Sequence, residues 1–218
     1  MNRFIFFFLI SNVIFSQSIT RKLDTFKSIK ISSAIEVILE TANHSKIEVT
    51  GSDIDKLQIK NKNQELHLFT SLDKKFKNDL KVHIYYEPGL RYLKLTNSVK
   101  IHSKTPIHEE FFEIEANHNV KAVLRLKTKH LVAKLKLGSN ITLKGTTESQ
   151  KIYVGAKCFY HAFQFISKQT TISANASLAE IHVSEFLEAT AKFKAEIIYR
   201  GQPNSVNEKT LLGKVIRK

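Results

Sequence analysis

The sequence contains very little cysteine, glycine or proline. Its single cysteine, Cys158, permits no intramolecular disulfide, so stability must come from the hydrophobic core and backbone hydrogen bonds. Seven glycines and three prolines in 218 residues exclude a collagen-like rod and a flexible low-complexity array. Apolar residues make up 42% of the chain, which is too much for intrinsic disorder. The composition therefore indicates a folded globular protein.

Aspartate is also scarce, and its distribution argues against catalysis. All five aspartates lie before residue 91, and the rest of the chain has none. A polysaccharide hydrolase or lyase needs clustered carboxylates, either as an acid–base pair or as calcium ligands. The densest cluster is Glu109, Glu110, Glu113 and Glu115, which we interpret as solubilising charges that pair with lysines on neighbouring strands. The sequence therefore predicts that the protein is not an enzyme.

Signatures of phosphate, metal and nucleophile sites are missing as well. The chain has no glycine-rich phosphate loop and no Gly-x-Ser-x-Gly motif. None of the nine histidines has metal-ligand spacing with another histidine on one strand or helix. We therefore predict no catalytic residue, no metal and no cofactor.

The first 16 residues have the pattern of a secretory signal peptide. Arg3 supplies a positive charge, an apolar run follows from Phe4 to Phe15, and Ser16 precedes a polar start. The run is too short to cross a bilayer as a helix of the mature chain. We expect an exported protein, located in the periplasm, on the outer cell surface or outside the cell. Residues 17–218 are expected to form one domain without a transmembrane segment.

The chain is strongly basic. It has 34 lysines and arginines, 20 acidic residues and a formal net charge of +14. This excess favours an anionic partner such as an acidic polysaccharide. A solvated surface with a lysine bias would give the same count, because net charge carries no specificity. Export argues against a nucleic acid as the partner.

Residues 17–90 form an N-terminal β-rich region. Apolar and polar residues alternate there with the period of a half-buried strand. These segments are 28–31, 35–39, 46–50, 57–60 and 66–69. The last two flank a turn at Asn61-Lys62-Asn63 and predict a β-hairpin. No segment has an apolar face with a 3.6-residue period, so we predict an all-β fold.

Residues 91–203 contain six imperfect copies of one pattern: an alternating strand, a kink of small or amide residues, and a further apolar step. Aligning the apolar residue after each kink gives steps that average near 19 residues. The aligned residues are Ile101, Val120, Ile141, Cys158, Leu178 and Ala195. This period is typical of a β-solenoid, in which each coil stacks on the last. We predict a single-stranded, right-handed β-helix of about six imperfect coils, followed by a closing strand within 204–218.

Each aligned position is expected to be buried, so Cys158 is interpreted as a small core residue rather than a nucleophile. The kinks are rich in glycine and asparagine, which tolerate left-handed backbone conformations. The last kink is predicted at Ala191-Lys192.

The strands before the kinks divide into inward and outward faces. Leu131, Ala133, Leu135 and Leu137 are expected to point inward, and so is Phe193. Cations on the outward face of adjacent coils would stack about 4.8 Å apart and form a basic stripe. This candidate binding face consists of Arg125, Lys127, Lys129, Lys134, Lys136, Lys192 and Lys194. An anionic polymer would fit the stripe, but a solvated lysine-rich surface would show the same pattern.

Tryptophan is absent, so aromatic contact with a sugar ring is expected to depend on tyrosine. Tyr153 lies between Ile152 and Val154 and is expected to point outward. It is a candidate aromatic contact for a ligand, or alternatively a cover for the neighbouring coil.

Several segments resemble one known family. They are Phe26-Lys27-Ser28-Ile29, Val49-Thr50-Gly51, the repeated kinks, the motif Tyr199-Arg200-Gly201-Gln202-Pro203, and the following Val206 and Gly213-Lys214-Val215. From Arg21 to Arg217 the chain resembles the putative auto-transporter adhesin, head GIN domain family of exported Bacteroidetes proteins. The Tyr-x-Gly-x-Pro motif is the most specific of these segments. The kinks depart from the Ser-Gly-Ala of the family, since only Gly138 and Gly155 keep the glycine.

The resemblance implies a single-stranded β-helical solenoid, similar to toastrack domains, and it brings no catalytic motif. We predict an exported adhesin-like module that presents a basic face to an anionic polysaccharide, an envelope component or a partner protein. A cell-envelope stress or structural scaffold protein is an alternative. A polysaccharide-active β-helix enzyme is a further alternative, which the missing aspartates argue against.

Overall fold

The computed structural model describes residues 18–70 and 79–218. Strands make up 72% of the structure, which forms a β-solenoid of about 7 turns. Within the described ranges no helix is long and apolar enough to cross a membrane. The expected all-β solenoid is therefore confirmed. The signal peptide expected at residues 1–16 lies outside the described residues.

The described residues form 17 strands and one short 3₁₀ helix, Ile54–Lys56. The strands are β1 Ser18–Lys22, β2 Ser28–Ile31, β3 Glu36–Thr41, β4 Lys46–Thr50, β5 Leu57–Lys62, β6 Glu65–Thr70, β7 Lys81–Tyr86, β8 Tyr92–Thr96, β9 Lys100–Ser103, β10 Ile107–Asn117, β11 Lys121–Lys136, β12 Asn140–Val154, β13 Phe159–Asn175, β14 Leu178–Lys192, β15 Glu196–Arg200, β16 Ser205–Leu211 and β17 Lys214–Arg217.

Each repeating coil has three consecutive segments. The pre-turn segment leads into a tight turn, the post-turn segment leaves the turn, and the linking segment bends back toward the next coil. The long strand β11 contains one segment of each kind: a post-turn segment at 121–125, a linking segment at 126–130 and a pre-turn segment at 131–136. Corresponding segments of successive coils pair in parallel. The outer sides of the two stacks are called the pre-turn face and the post-turn face below.

The strand pairing fixes the repeat at close to 19 residues. Thr128 lies against Thr147 in the next coil, 19 residues further on, with their Oγ1 atoms 3.0 Å apart. In the post-turn stack Ala122 pairs with Ile141, and Ile141 pairs with Tyr160. The predicted period is therefore correct.

The predicted column of aligned residues is wrong in part. Cys158 is fully buried, as expected, but it lies two residues before Tyr160, which is the register partner of Ile141. Val120 is offset in the same way from Ala122. Two buried rows with the same spacing follow each turn, and alternation alone does not distinguish them.

Positive backbone φ angles mark the turns, as the kinks predicted. Leu137 and Phe193 both have a φ of 50° and are 54% and 51% exposed, so the prediction that they point inward is wrong. The strands end at Lys136 and Lys192, one residue before each of them, and the turn directs their side chains to solvent. The turn between β14 and β15, the last one predicted, also lies two residues later than expected, because Ala191 is a buried strand residue.

The N-terminal strands belong to the solenoid. β2 pairs with β6 and β8, and β3 pairs with β7 and β9, so the β2–β3 coil lies between two later coils. Antiparallel strands close this end of the stack: β5 on β6, β4 on β7, and β1 on β4. The predicted hairpin is confirmed as β5–β6, but its turn lies at Asn63-Gln64 rather than at Asn61-Lys62-Asn63, because Asn61 and Lys62 belong to β5.

The last coil, β16 and β17, ends the core with polar side chains. Glu208 lies in register with the buried Ala189, and Arg217 lies in register with Tyr199. Both positions point inward in the earlier coils, yet Glu208 and Arg217 are exposed. Polar terminal repeats and charged edge strands keep a solenoid from associating end to end.

A buried polar network lies inside the solenoid. The Tyr160 hydroxyl donates to Gln150 Oε1 at 2.7 Å, and Gln150 Nε2 donates to Ser167 Oγ and Thr170 Oγ1 at 3.1 and 3.0 Å. All four residues are at most 3% exposed. Burial also raises the pKa of Tyr160. Because every amide group of Gln150 has a partner, the network holds adjacent coils in one register.

Replacing Tyr160 with phenylalanine should lower the free energy of unfolding by about 1–3 kcal/mol, because Gln150 Oε1 would be buried without this donor. The matched control is Tyr153→Phe, which removes the same hydroxyl from a side chain that is 40% exposed. It should change stability by less than about 0.5 kcal/mol. Urea unfolding measures both, and equal effects would contradict the structural role of the network.

Candidate binding surface

The structure distributes the seven cations of the predicted stripe over several sides of the coil. Arg125 is on the post-turn face, Lys127 and Lys129 are on a linking segment, Lys134, Lys136 and Lys192 are on the pre-turn face, and Lys194 is in the turn between β14 and β15. The reason is that β11 bends twice while its alternation continues. Residues of the same parity therefore face different directions.

Two cations of the pre-turn face, Lys94 and Lys134, are engaged in ion pairs. Lys134 Nζ lies 2.6 Å from Glu113 Oε1 and 3.2 Å from Glu115 Oε1 on the preceding coil. Burial of Glu115 raises its pKa, but hydrogen bonds from Tyr92 and Lys134 outweigh burial and hold the pKa below its usual value. The two glutamates therefore act as ion-pair partners of lysine, as the sequence predicted.

The linking segments carry alternating charges. A shallow groove of about 590 Å³ runs along them, and Lys129 pairs with Glu110 there. Glu148 and Lys168 line the same groove on the two following coils. Positive and negative side chains thus alternate from coil to coil, which leaves little net charge for an anionic ligand.

Tyr153 points outward from the pre-turn face, as predicted, and is 40% exposed. It lies in register between Lys134 and Ser173, and the Lys151 ammonium is 5.6 Å from its ring centroid. Its role as an aromatic contact for a ligand stays a prediction.

The post-turn face is the more basic of the two faces. Its outward positions from β9 to β17 carry eight cations and two carboxylates, whereas those of the pre-turn face from β8 to β16 carry six cations and three carboxylates. The eight cations are Lys100, Lys104, Lys121, Arg125, Lys144, Arg200, Lys214 and Lys218.

Four of these cations follow one edge of the post-turn face along the solenoid axis, and we call them the basic ladder: Arg125, Lys144, Arg200 and Lys218. Arg125 and Lys144 are register neighbours on β11 and β12. Lys218 follows β17, and its amide donates to the Tyr199 carbonyl, which places it beside Arg200. Phe163 on β13 and His182 on β14 lie between the two pairs, and the Arg200 guanidinium is 4.1 Å from the Phe163 ring centroid.

The charges of the basic ladder are not neutralised by neighbouring side chains. Among residues 18–70 and 79–218, no carboxylate lies within the 4.0 Å ion-pair distance of any of its four cations. Lys104, at the lower end of the same edge, is different, because its Nζ lies 2.9 Å from Glu40 Oε2. An anionic ligand on the basic ladder would therefore not have to displace an internal ion pair.

Local backbone features bring the ladder side chains together. Gly145 follows Lys144 directly and has a φ of 118°, which lets its coil approach the Leu126 carbonyl closely. Gly201 follows Arg200 and approaches the Val183 carbonyl in the same way, with a φ of 101°. The Tyr199-Arg200-Gly201 part of the terminal motif thus positions a ladder cation.

Sequence reasoning found Arg125 but missed Lys144, Arg200 and Lys218. The usable signal was the repeat itself, since Lys144 follows Arg125 by one 19-residue coil. Lys100 and Lys121, register neighbours on the opposite edge of the same face, were missed for the same reason. Within the described parts of the chain no group of three or more His, Cys, Asp or Glu side chains could hold a metal ion.

Comparison with known proteins identifies the family of the fold. The family model described as "Putative auto-transporter adhesin, head GIN domain" matches residues 25–203. No curated protein matches the chain.

Three solved structures share the fold over nearly their whole length. A putative adhesin from Bacteroides fragilis NCTC 9343 is 17% identical, with 93% of this chain and 97% of that chain covered and a TM-score of 0.77. A putative adhesin from Parabacteroides distasonis ATCC 8503 is 18% identical, with coverage of 92% and 95% and a TM-score of 0.74. A putative lipid binding protein from the same strain is 15% identical, with coverage of 93% and 96% and a TM-score of 0.69.

Proposed function

The chain belongs to the putative auto-transporter adhesin, head GIN domain family, and on that premise we propose that it is an exported, non-enzymatic binding module. Its post-turn face holds an anionic polymer of the cell envelope or cell surface through the basic ladder. The N-terminal signal-like sequence and the adhesin description of the family support export.

The basic ladder is the observation that carries this proposal. Within each of its two pairs the cations are separated by the spacing of stacked coils, about 4.8 Å, and two coils, β13 and β14, lie between the pairs. The four cations are exposed and have no carboxylate partner among the described residues. A row of unpaired charges of one sign raises the local concentration of a polyanion and holds it at several points at once. The pre-turn face carries fewer cations and more carboxylates, and two of its six cations, Lys94 and Lys134, are paired with Glu113 or Glu115.

Polymer binding across a salt series tests the proposal. The purified protein would be titrated with poly-L-glutamate, with dextran sulfate and with neutral dextran, from about 50 mM to about 500 mM NaCl. We expect both polyanions to bind and their affinity to fall steadily as salt rises, because exposed charges are screened. Neutral dextran serves as the control and should not bind. Polyanion binding that is absent at low salt, or that does not change with salt, would overturn the proposal.

A further inference from the structure

A row of three aromatic rings crosses the post-turn face beside the basic ladder. Phe159, His161 and Phe163 alternate along β13, so the row spans about 13 Å. The Phe159 side chain is 42% exposed and that of His161 is 34% exposed. The Phe159 and His161 rings are parallel within 7°, with centroids 6.1 Å apart. Exposed rings in a row of this kind offer apolar contact to a flat ligand.

Neighbouring side chains hold these rings in position. His161 Nδ1 lies 2.7 Å from Glu180 Oε2 on the next coil. The Arg200 guanidinium packs on the Phe163 ring at 4.1 Å. Because the rings are already fixed, little side-chain freedom would be lost when a ligand packs on them.

Polar groups of different kinds flank the row. On the β12 side, Asn140 is in register with Phe159, Thr142 is in register with His161, and Lys144 is in register with Gln164, the residue after Phe163. On the β14 side, Glu180 is in register with His161. The surface therefore combines ring contacts, neutral hydrogen-bonding groups, a free cation and one carboxylate.

We infer that this aromatic row is a carbohydrate subsite for an acidic polysaccharide that contains uronic acid sugars. Sugar C–H faces pack on Phe159 and His161, ring carboxylates bind Lys144 and Arg125, and hydroxyls bond to Asn140, Thr142 and Glu180. The inference rests on the proposed function and names the polymer that the basic ladder holds. The carboxylate of Glu180 beside the rings accepts hydrogen bonds from hydroxyl groups, which sugar rings supply and phosphodiester groups do not.

Comparing two carboxylate polymers tests the inference. Poly-L-glutamate and polygalacturonate both carry carboxylates, but only polygalacturonate has sugar rings. Phe159→Ala should weaken polygalacturonate binding by about three- to tenfold, because a ring contact is lost. The same variant should change the affinity for poly-L-glutamate by less than about twofold, since it alters no charge. His161→Ala provides a second variant if Phe159→Ala alters the thermal unfolding of the protein.

The matched control is Phe111→Ala on a linking segment, where the side chain is 43% exposed, and it should change neither affinity. If Phe159→Ala and His161→Ala leave polygalacturonate binding unchanged, the carbohydrate subsite is wrong while the proposed function stands. Tighter binding of an oligothymidylate or of phosphatidylglycerol vesicles than of polygalacturonate at equal salt would also overturn the inference. If neither carboxylate polymer binds, the proposed function itself fails.

Discussion

Replacing Gly145 with alanine is expected to lower the free energy of unfolding by about 3–5 kcal/mol. Gly145 has a φ of 118°, a conformation that residues with side chains rarely adopt. A Cβ at this position would also lie well inside contact distance of the Leu126 carbonyl oxygen. Leu126 is the register partner of Gly145 in the neighbouring coil. The clash could be relieved only by separating β11 from β12 beside the basic ladder.

Gly89→Ala is the matched control for this substitution. Gly89 has a similar φ of 114°, but a Cβ there would have no atom within 4 Å. Its replacement should therefore cost only the conformational strain, about 1 kcal/mol. Guanidinium unfolding of both variants measures the difference. Equal losses of stability would contradict the close approach of the two coils at Gly145.

The double substitution Arg125→Glu and Lys144→Glu is expected to weaken poly-L-glutamate binding at low salt by about a hundredfold or more. The two residues are register neighbours, so both reversed charges would repel the same stretch of polymer. Both side chains are exposed, so we expect the fold to be unaffected. A titration at about 50 mM NaCl measures the loss, and the difference should shrink as salt screens the charges.

Lys136→Glu combined with Lys192→Glu is the matched control, because it changes the net charge by the same amount. These two lysines are exposed at the ends of pre-turn segments, away from the basic ladder. We expect these two substitutions to reduce the affinity for poly-L-glutamate only slightly, through the overall electrostatic field of the protein. If both double variants lose affinity equally, binding depends on net charge alone and the ladder has no special role.

The fold was predictable because its local patterns agree with one another. Strict alternation, as in Leu131, Ala133 and Leu135, places one apolar row inside, and the structure buries all three. The 19-residue repeat required stacked coils, and the family resemblance pointed to the same architecture. These signals are local in sequence and repeat many times, so a few errors of alignment do not change the outcome.

The details that sequence reasoning missed depend on where strands bend or turn. Phe193 adopts a left-handed conformation without glycine, so composition gave no reason to place the turn there. Non-local pairing was also hidden, since nothing in β2 indicates that its neighbours are β6 and β8.

The binding surface was harder to predict than the fold, for the same reason. Alternation tells inward from outward, but it does not tell which side of a bent coil an outward residue occupies. Arg125 and Lys134 belong to one strand and yet lie on different faces. Only the register between coils shows that Arg125 joins Lys144, and that Lys134 joins Glu113 and Glu115.

Covalent lysine labelling in the presence of poly-L-glutamate, read by mass spectrometry, tests most directly whether the post-turn face is the binding surface. We predict that the polymer protects Lys144, Lys121 and Lys218 on that face from modification. Lys136 and Lys151, which are exposed on the pre-turn face, should react as fast as in the free protein. Protection of Lys136 and Lys151 with unchanged labelling of Lys144 would contradict the account, and so would uniform protection of all five.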